Sequence, residues 1–178
     1  MKNKIRKEIL AKMKISNRDY DENLCQRLFA TVQWNHADVV AVTLSMDDEL
    51  DTNPIIEKAF QQNKQVVIPK TFSNRVMKFF AFDNSTKIEK SNFGVREPVD
   101  ANEVYPDDID LIIVPGVAFN PSTHQRIGFG GGFFDCYLSS YSGDTISLVR
   151  PEQVVNKNWL SEETDIPVQL IIRGDDND

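Results

Sequence analysis

Asp110-Leu111-Ile112-Ile113-Val114-Pro115-Gly116 reads as a β-strand covered on both faces. Its apolar, mostly β-branched residues follow one another without polar alternation, and Pro115-Gly116 turns the chain at their end. Asp38-Val39-Val40-Ala41-Val42-Thr43-Leu44 has the same character. Further strands are predicted over 65–69, 77–82, 145–149 and 168–172. Between them lie helical spacings. Ile5, Ile9, Leu10 and Met13 share one face over 4–14, and Ser16 and Asn17 offer a break and a cap. Tyr20, Leu24, Leu28 and Val32 recur every fourth residue, and a helix begins near Asn53 with Pro54 in its first turn. A last helix is expected over 133–141. Strands alternating with helices predict a three-layer α/β/α arrangement around a mostly parallel sheet. The charged stretch 83–108, with Pro98 and Pro106, is expected to be a long connection over one rim.

With 178 residues the chain suits one full core. It is read as a single domain, 1–178, with N-terminal helices over 3–33 packed on it because they have little core of their own. A net charge of -7 argues against binding along a nucleic-acid backbone, where positive charge supplies most of the affinity. No apolar run approaches the ~20 residues that span a bilayer, and the basic start at Met1–Leu10 lacks the apolar core of a secretory signal. With Cys25 and Cys136 as its two cysteines and no CxxC pair, the chain is expected in the reducing cytosol. A monomer is expected. Cys136 is expected to be packed rather than reactive. His36 and His124 make no metal-binding spacing with the cysteines.

In such sheets ligands bind beyond the carboxyl ends of the strands. Three segments reach that rim: Asp47-Asp48-Glu49, Lys70, and 116–132. The last contains Arg126-Ile127-Gly128-Phe129-Gly130-Gly131-Gly132-Phe133-Phe134-Asp135-Cys136-Tyr137-Leu138, with four glycines in five positions before a helix. Glycines allow close approach of the backbone to a ligand, and N–H groups at a helix start favour an anion. Phosphate is the candidate, with Arg126 and Asp135 as partners for the anion and its metal. A flexible turn is the plain alternative. The loop is neither a Walker A loop nor a Rossmann fingerprint, since residues 117–127 separate it from Gly116. Glu49 is either a solvated loop acid or, from its place at a strand exit, a functional one.

Pro115-Gly116-Val117-Ala118-Phe119-Asn120 and Arg126 through Leu138 together resemble the 5-formyltetrahydrofolate cyclo-ligase (5,10-methenyltetrahydrofolate synthetase) family. The segment 43–52 is similar to the one that carries its substrate-site glutamate. Val67-Ile68-Pro69-Lys70, Glu97-Pro98 and the basic start Lys2–Arg6 also fall in family-like places. The resemblance implies a fold like that of the phosphosugar isomerases and CoA-transferases. It implies ATP- and Mg2+-dependent closure of 5-formyltetrahydrofolate to 5,10-methenyltetrahydrofolate, with no nucleic-acid or membrane partner. Phosphorylation of the formyl oxygen would make it a leaving group for attack by N10. Arg126, Glu49 and Asp135 would be catalytic. Lys2, Arg6, Arg126, Gly128, Gly130, Gly131, Gly132 and Phe133 would hold the nucleotide. Glu49, Met77, Phe119 and Phe133 would contact the folate, and Asp135 the magnesium.

Departures from the pattern accompany these matches. Phe133-Phe134 stand where the family usually has two tyrosines, Asn120 replaces an aspartate, and the link to Arg126 lacks a usual glycine. Gln169 replaces an aspartate that could assist magnesium. A noncatalytic nucleotide- or folate-binding protein on the same fold is the alternative reading. A phosphosugar isomerase or acyl-transfer enzyme on a similar scaffold is the weaker third.

Overall fold

The computed structural model describes residues 1–174. Five strands run parallel: β1 (Val39–Ala41), β2 (Gln65–Thr71), β7 (Leu111–Ile113), β10 (Asp144–Val149) and β11 (Leu170–Arg173). β3 (Met77–Phe82) pairs antiparallel with β2, and the short β6 (Glu103–Val104) pairs antiparallel with β3. The seven-stranded sheet has the order β11-β10-β7-β1-β2-β3-β6. The chain leaves β1 toward β2 and β3, then returns to β7 on the other side. The loops after β1 and β7 therefore part at the crevice where such sheets bind ligands.

The unbroken apolar runs are explained by the layers. Val40, Val42, Val66, Ile68, Leu111, Ile113 and Ile146 face a core closed by helices α2 (Asp21–Phe29), α3 (Val32–His36) and α4 (Asn53–Gln61). Ala41, Val67, Ile112 and Val114 face the opposite core, which holds Met77, Phe79 and Leu138 of α5 (Phe133–Leu138). Each buried Val, Leu or Ile contributes about 1.5–3 kcal/mol, so neither face tolerates a polar residue in these positions. The mostly parallel three-layer reading holds.

Several details differ from expectation. The helix predicted through Val32 is two, because the chain turns at Ala30 and Thr31 caps α3 by accepting the Trp34 N–H at 3.1 Å. Tyr20 precedes α2 without a side-chain cap, so Ser16 and Asn17 do not serve that role. The stretch 83–108 is not structureless: β4 (Lys87–Lys90) and β5 (Arg96–Val99) form a hairpin, followed by β6 and a 3₁₀ turn at Pro106–Asp108. Segment 117–127 also folds into a hairpin, β8 (Ala118–Asn120) with β9 (Gln125–Ile127), turning through His124 at φ 57°. Short two-stranded ribbons give too little periodicity to be read from sequence.

Helix α1 (Lys2–Lys14) buries Ile9 and Met13 against Val117, Ala118, Ile127 and Trp159 in a third, separate cluster. It thus packs on the β8–β9 hairpin rather than on a sheet face. This contact carries the basic N-terminus to the glycine loop. Cys136 is exposed, contrary to the packed position expected of it, while Cys25 is buried and its thiol is pushed up to about 12, chiefly by burial.

Candidate functional site

The glycine loop leaves the β8–β9 hairpin at Arg126, directly opposite Phe119 in the ladder. Arg126 is only 4% exposed. Its Nη2 donates to Asp135 Oδ1 at 3.0 Å, and the guanidinium lies 6.0 Å from the centre of the Phe134 ring. Its Nε is buried without a hydrogen-bond partner. Burial pulls the Arg126 pKa below its ordinary value, and the nearby carboxylates of Asp135 and Asp165 oppose that pull. A buried guanidinium with an unmade bond has a donor to offer an oxyanion, because leaving that bond unmade is costly.

Helix α1 supplies the other cations. Arg6 Nε donates to the Gly128 carbonyl at 2.7 Å, and its guanidinium also bonds Asn3. Lys2 Nζ pairs with Asp165 and lies 3.7 Å from Glu162. Asp135 Oδ1 additionally accepts the Ile166 N–H at 3.1 Å, so the segment around Asp165 is tied to the same cluster.

The glycines differ in their reasons. Gly130 and Gly132 have φ of 112° and 71°, a region that L side chains rarely adopt. Gly131 is sterically constrained instead: a Cβ there would lie 2.7 Å from the Phe133 ring. α5 spans six residues rather than the nine expected, too short for its end alone to carry an anion. The case for phosphate rests on the loop conformation and the surrounding cations.

At the other side of the crevice, the loop after β1 is clamped. Ser45 and Thr52 exchange hydrogen bonds, each backbone N–H donating at 3.1 Å to the other's hydroxyl, and Thr52 Oγ1 donates to the Thr43 carbonyl at 2.6 Å. Arginines from three separate segments of the chain hold its carbonyls. Arg96 Nη2 reaches Ser45 O at 3.2 Å, Arg18 reaches Asp47 O, and Arg150 reaches Asp48 O at 3.3 Å and Glu49 O at 3.2 Å. Arg150 is itself locked by two bonds to Asp21, at 2.8 and 2.7 Å. Within this frame Glu49 Oε2 accepts the Met46 N–H at 2.7 Å. Burial raises the Glu49 pKa, while the Met46 N–H and Arg150 lower it and Asp48 raises it further.

Of the predicted site residues, Lys2, Arg6, Arg126, Asp135 and Gly128–Gly132 share one cluster. Met77 is part of the apolar cluster against which Phe133 packs. Phe119 is 1% exposed, and a Cβ at Gly116 would lie 2.6 Å from its ring, so it is enclosed by its own chain. Gln169 is elsewhere: its Oε1 accepts the Thr145 N–H at 3.2 Å and its Nε2 reaches the Gly143 carbonyl at 3.4 Å. Those residues lie at the amino end of β10, so the Gln169 side chain is engaged there by the strand end rather than by the glycine loop. Sequence reasoning did not single out Asp165, Arg150 or Arg75, whose Cδ lies 3.6 Å from where a Cβ at Gly132 would stand. The strand-exit rule that picked out Glu49 also points to Arg150, one residue past β10. No local signal marks Asp165.

Among known proteins, the family model described as the 5-formyltetrahydrofolate cyclo-ligase family matches residues 1–174. The 5-formyltetrahydrofolate cyclo-ligase of Escherichia coli K12 is 34% identical over 143 residues, covering 76% of this chain and 78% of that protein. The NMR structure of Aquifex aeolicus 5,10-methenyltetrahydrofolate synthetase superposes with a TM-score of 0.84 at 26% identity, covering 98% of this chain and 90% of that one. A 5,10-methenyltetrahydrofolate synthetase from Mycoplasma pneumoniae, 24% identical, shares the fold with a TM-score of 0.76 over 96% of this chain and 97% of its own.

Proposed function

The chain belongs to the 5-formyltetrahydrofolate cyclo-ligase family, and from that premise we propose that it uses ATP to close 5-formyltetrahydrofolate to 5,10-methenyltetrahydrofolate, releasing ADP and phosphate. The formyl oxygen is a poor leaving group until a phosphoryl group is transferred to it. N10 then supplies the electron pair of the new C–N bond and sheds its proton, and the C–O bond breaks with phosphate. Negative charge must be offset at the transferring phosphoryl group.

The observation that carries this reading is the buried Arg126 guanidinium with an unpartnered Nε, set beside a loop with two left-handed glycines. Arg126, Arg6 and the N–H groups of 128–132 bind and orient the phosphates in this scheme. Lys2 adds positive charge while holding Asp165. Glu49 receives polar groups of the folate, and Met77 and Phe133 support its flat rings from below. Phe119 shapes the floor rather than touching the ligand.

No three His, Cys, Asp or Glu side chains form a metal cage among the described residues. This fits magnesium that arrives with the nucleotide, since Mg2+ commonly takes one or two carboxylates beside phosphate and water oxygens. Asp135 Oδ1 is engaged by Arg126 and Ile166, which leaves Oδ2 for the ion. The metal would neutralise phosphate charge at that point.

The test mixes the purified protein with 5-formyltetrahydrofolate and Mg·ATP and follows methenyl absorbance and ADP release together. Equimolar product and ADP are expected. Folded protein that yields neither refutes the assignment.

A further inference from the structure

The turn between β2 and β3 is built against local preference. Asn74 and Arg75 both have φ of 60°, and the Val76 N–H donates to the Ser73 carbonyl at 3.3 Å across them. A two-residue hairpin turn with both central residues left-handed favours Asn-Gly. Asn fits the first position here, but an arginine occupies the second, where glycine is the low-strain choice. A non-glycine residue in this region is strained and persists where the surroundings or the function hold it.

The Arg75 side chain lies over the glycine loop. A Cβ at Gly132 would meet its Cδ at 3.6 Å and its Nε and Nη1 at 3.8 Å each. Arg75 makes no hydrogen bond or ion pair among the described residues. Arg6, Lys2 and Arg126 each already have a protein partner. The hairpin tip therefore brings an uncommitted guanidinium beside Gly132 of the same loop. β2 ends at this tip, at the sheet rim where the loops after β1 and β7 diverge.

We propose that Arg75 is a ligand-binding residue of the site, contacting a phosphate oxyanion of the nucleotide beside Gly132. The assignment rests on the ATP-dependent reading above. It explains why a side chain stands where a turn would prefer none. Gly132 is required by its backbone, with φ of 71°, and a Cβ there would only touch the Arg75 side chain in ordinary contact. An arginine fork can span two oxygens of one phosphate, which a lysine cannot.

The experiment compares Arg75→Gly and Arg75→Lys with the unmodified protein in three measurements: thermal unfolding, calorimetric affinity for ATP and for adenosine, and affinity for 5-formyltetrahydrofolate. Arg75→Gly is expected to keep or raise Tm, because the turn loses its strained residue, and to weaken ATP about tenfold, the loss of one charge-assisted contact. Adenosine affinity should not change, and Arg75→Lys should recover part of the ATP affinity. Unchanged ATP affinity in Arg75→Gly overturns the proposal. So does a loss that adenosine shares, or one confined to 5-formyltetrahydrofolate, which would put Arg75 on the folate carboxylates. Methenyl formation by the unmodified protein, read in the same preparation, reports on the cyclo-ligase reading separately. Its absence alongside normal ATP binding would refute that reading while the ATP-to-adenosine comparison still decides Arg75.

Discussion

Arg126 and Glu49 illustrate two ways of holding a charge in a crevice. Arg126 is buried with one donor satisfied by Asp135 and another left open. Arg126→Lys keeps the charge but not the planar fork that serves both. Its kcat/KM for ATP should fall about tenfold or more, with a smaller effect on 5-formyltetrahydrofolate. Steady-state kinetics with each substrate varied in turn checks this, and equal kinetics would remove Arg126 from the phosphate site. Glu49 is opposite in sign. Its folded pKa is raised above the ordinary 4.5, mainly by burial. A carboxylate with a raised folded pKa favours folding most when protonated, and that advantage is lost as pH climbs through the folded value. Glu49→Gln should therefore be at least as stable as the parent at neutral pH, with the difference shrinking as pH falls through the raised folded pKa toward 4.5. Its use of 5-formyltetrahydrofolate should weaken while ATP binding persists. Denaturant titrations across pH and separate ligand affinities test both halves; a loss confined to ATP would move Glu49 to the nucleotide side.

At the scale of elements, the site depends on packing that lies outside the main sheet. α1 rests on the β8–β9 hairpin through Ile9 and Met13, and Lys2 and Arg6 project from its first turns. Ile9→Ala should cost about 2–5 kcal/mol of stability and raise the KM for ATP more than that for folate, because the helix that carries the cations loses its seat. Equal effects on the two substrates would argue against α1 as the carrier. The loop of Glu49 is fixed by Arg18, Arg96 and Arg150 from three distant segments, so its shape follows the fold rather than its own residues. Gly131 carries a related lesson. Valine there would collide with Phe133 before any ligand arrives, so loss of ATP binding in that variant would not by itself locate the phosphate. Gly130 or Gly132 would be better probes of the loop's left-handed conformation, although both sit near cationic side chains.

For the molecule as a whole, a net charge of -7 coexists with a local cluster of Lys2, Arg6, Arg75 and Arg126 around one loop. Global repulsion of an anionic nucleotide is offset within a few ångströms of the site, where the local charges dominate. Salt should screen the exposed members of that cluster, with a Debye length of about 10 Å at 0.1 M. Raising NaCl from 0.05 to about 0.5 M should weaken ATP severalfold and leave adenosine nearly unchanged. Calorimetry at the two salt concentrations decides this. Equal salt dependence for ATP and adenosine would mean that phosphate charge contributes little to binding. No helix among the described residues is long and apolar enough to cross a membrane.

By itself the sequence determined the layers. Runs such as Leu111–Val114 and Val39–Val42 contain no polar side chain, and burial on both faces of a parallel sheet is the arrangement that suits them. It also determined which loops meet at the carboxyl rim, since strand order along the chain and the glycine run are local facts. The family resemblance at 115–120 and 126–138 was legible for the same reason: its motifs are contiguous. Only the tertiary structure decided what no window contains. It set Arg150 on Asp21 and under Glu49, brought Asp165 to Lys2, laid Arg75 over Gly132, and turned Gln169 toward Gly143. Each of these contacts joins residues more than twenty positions apart. A guanidinium or carboxylate has no directional signature in sequence until the packed elements fix where its partner stands.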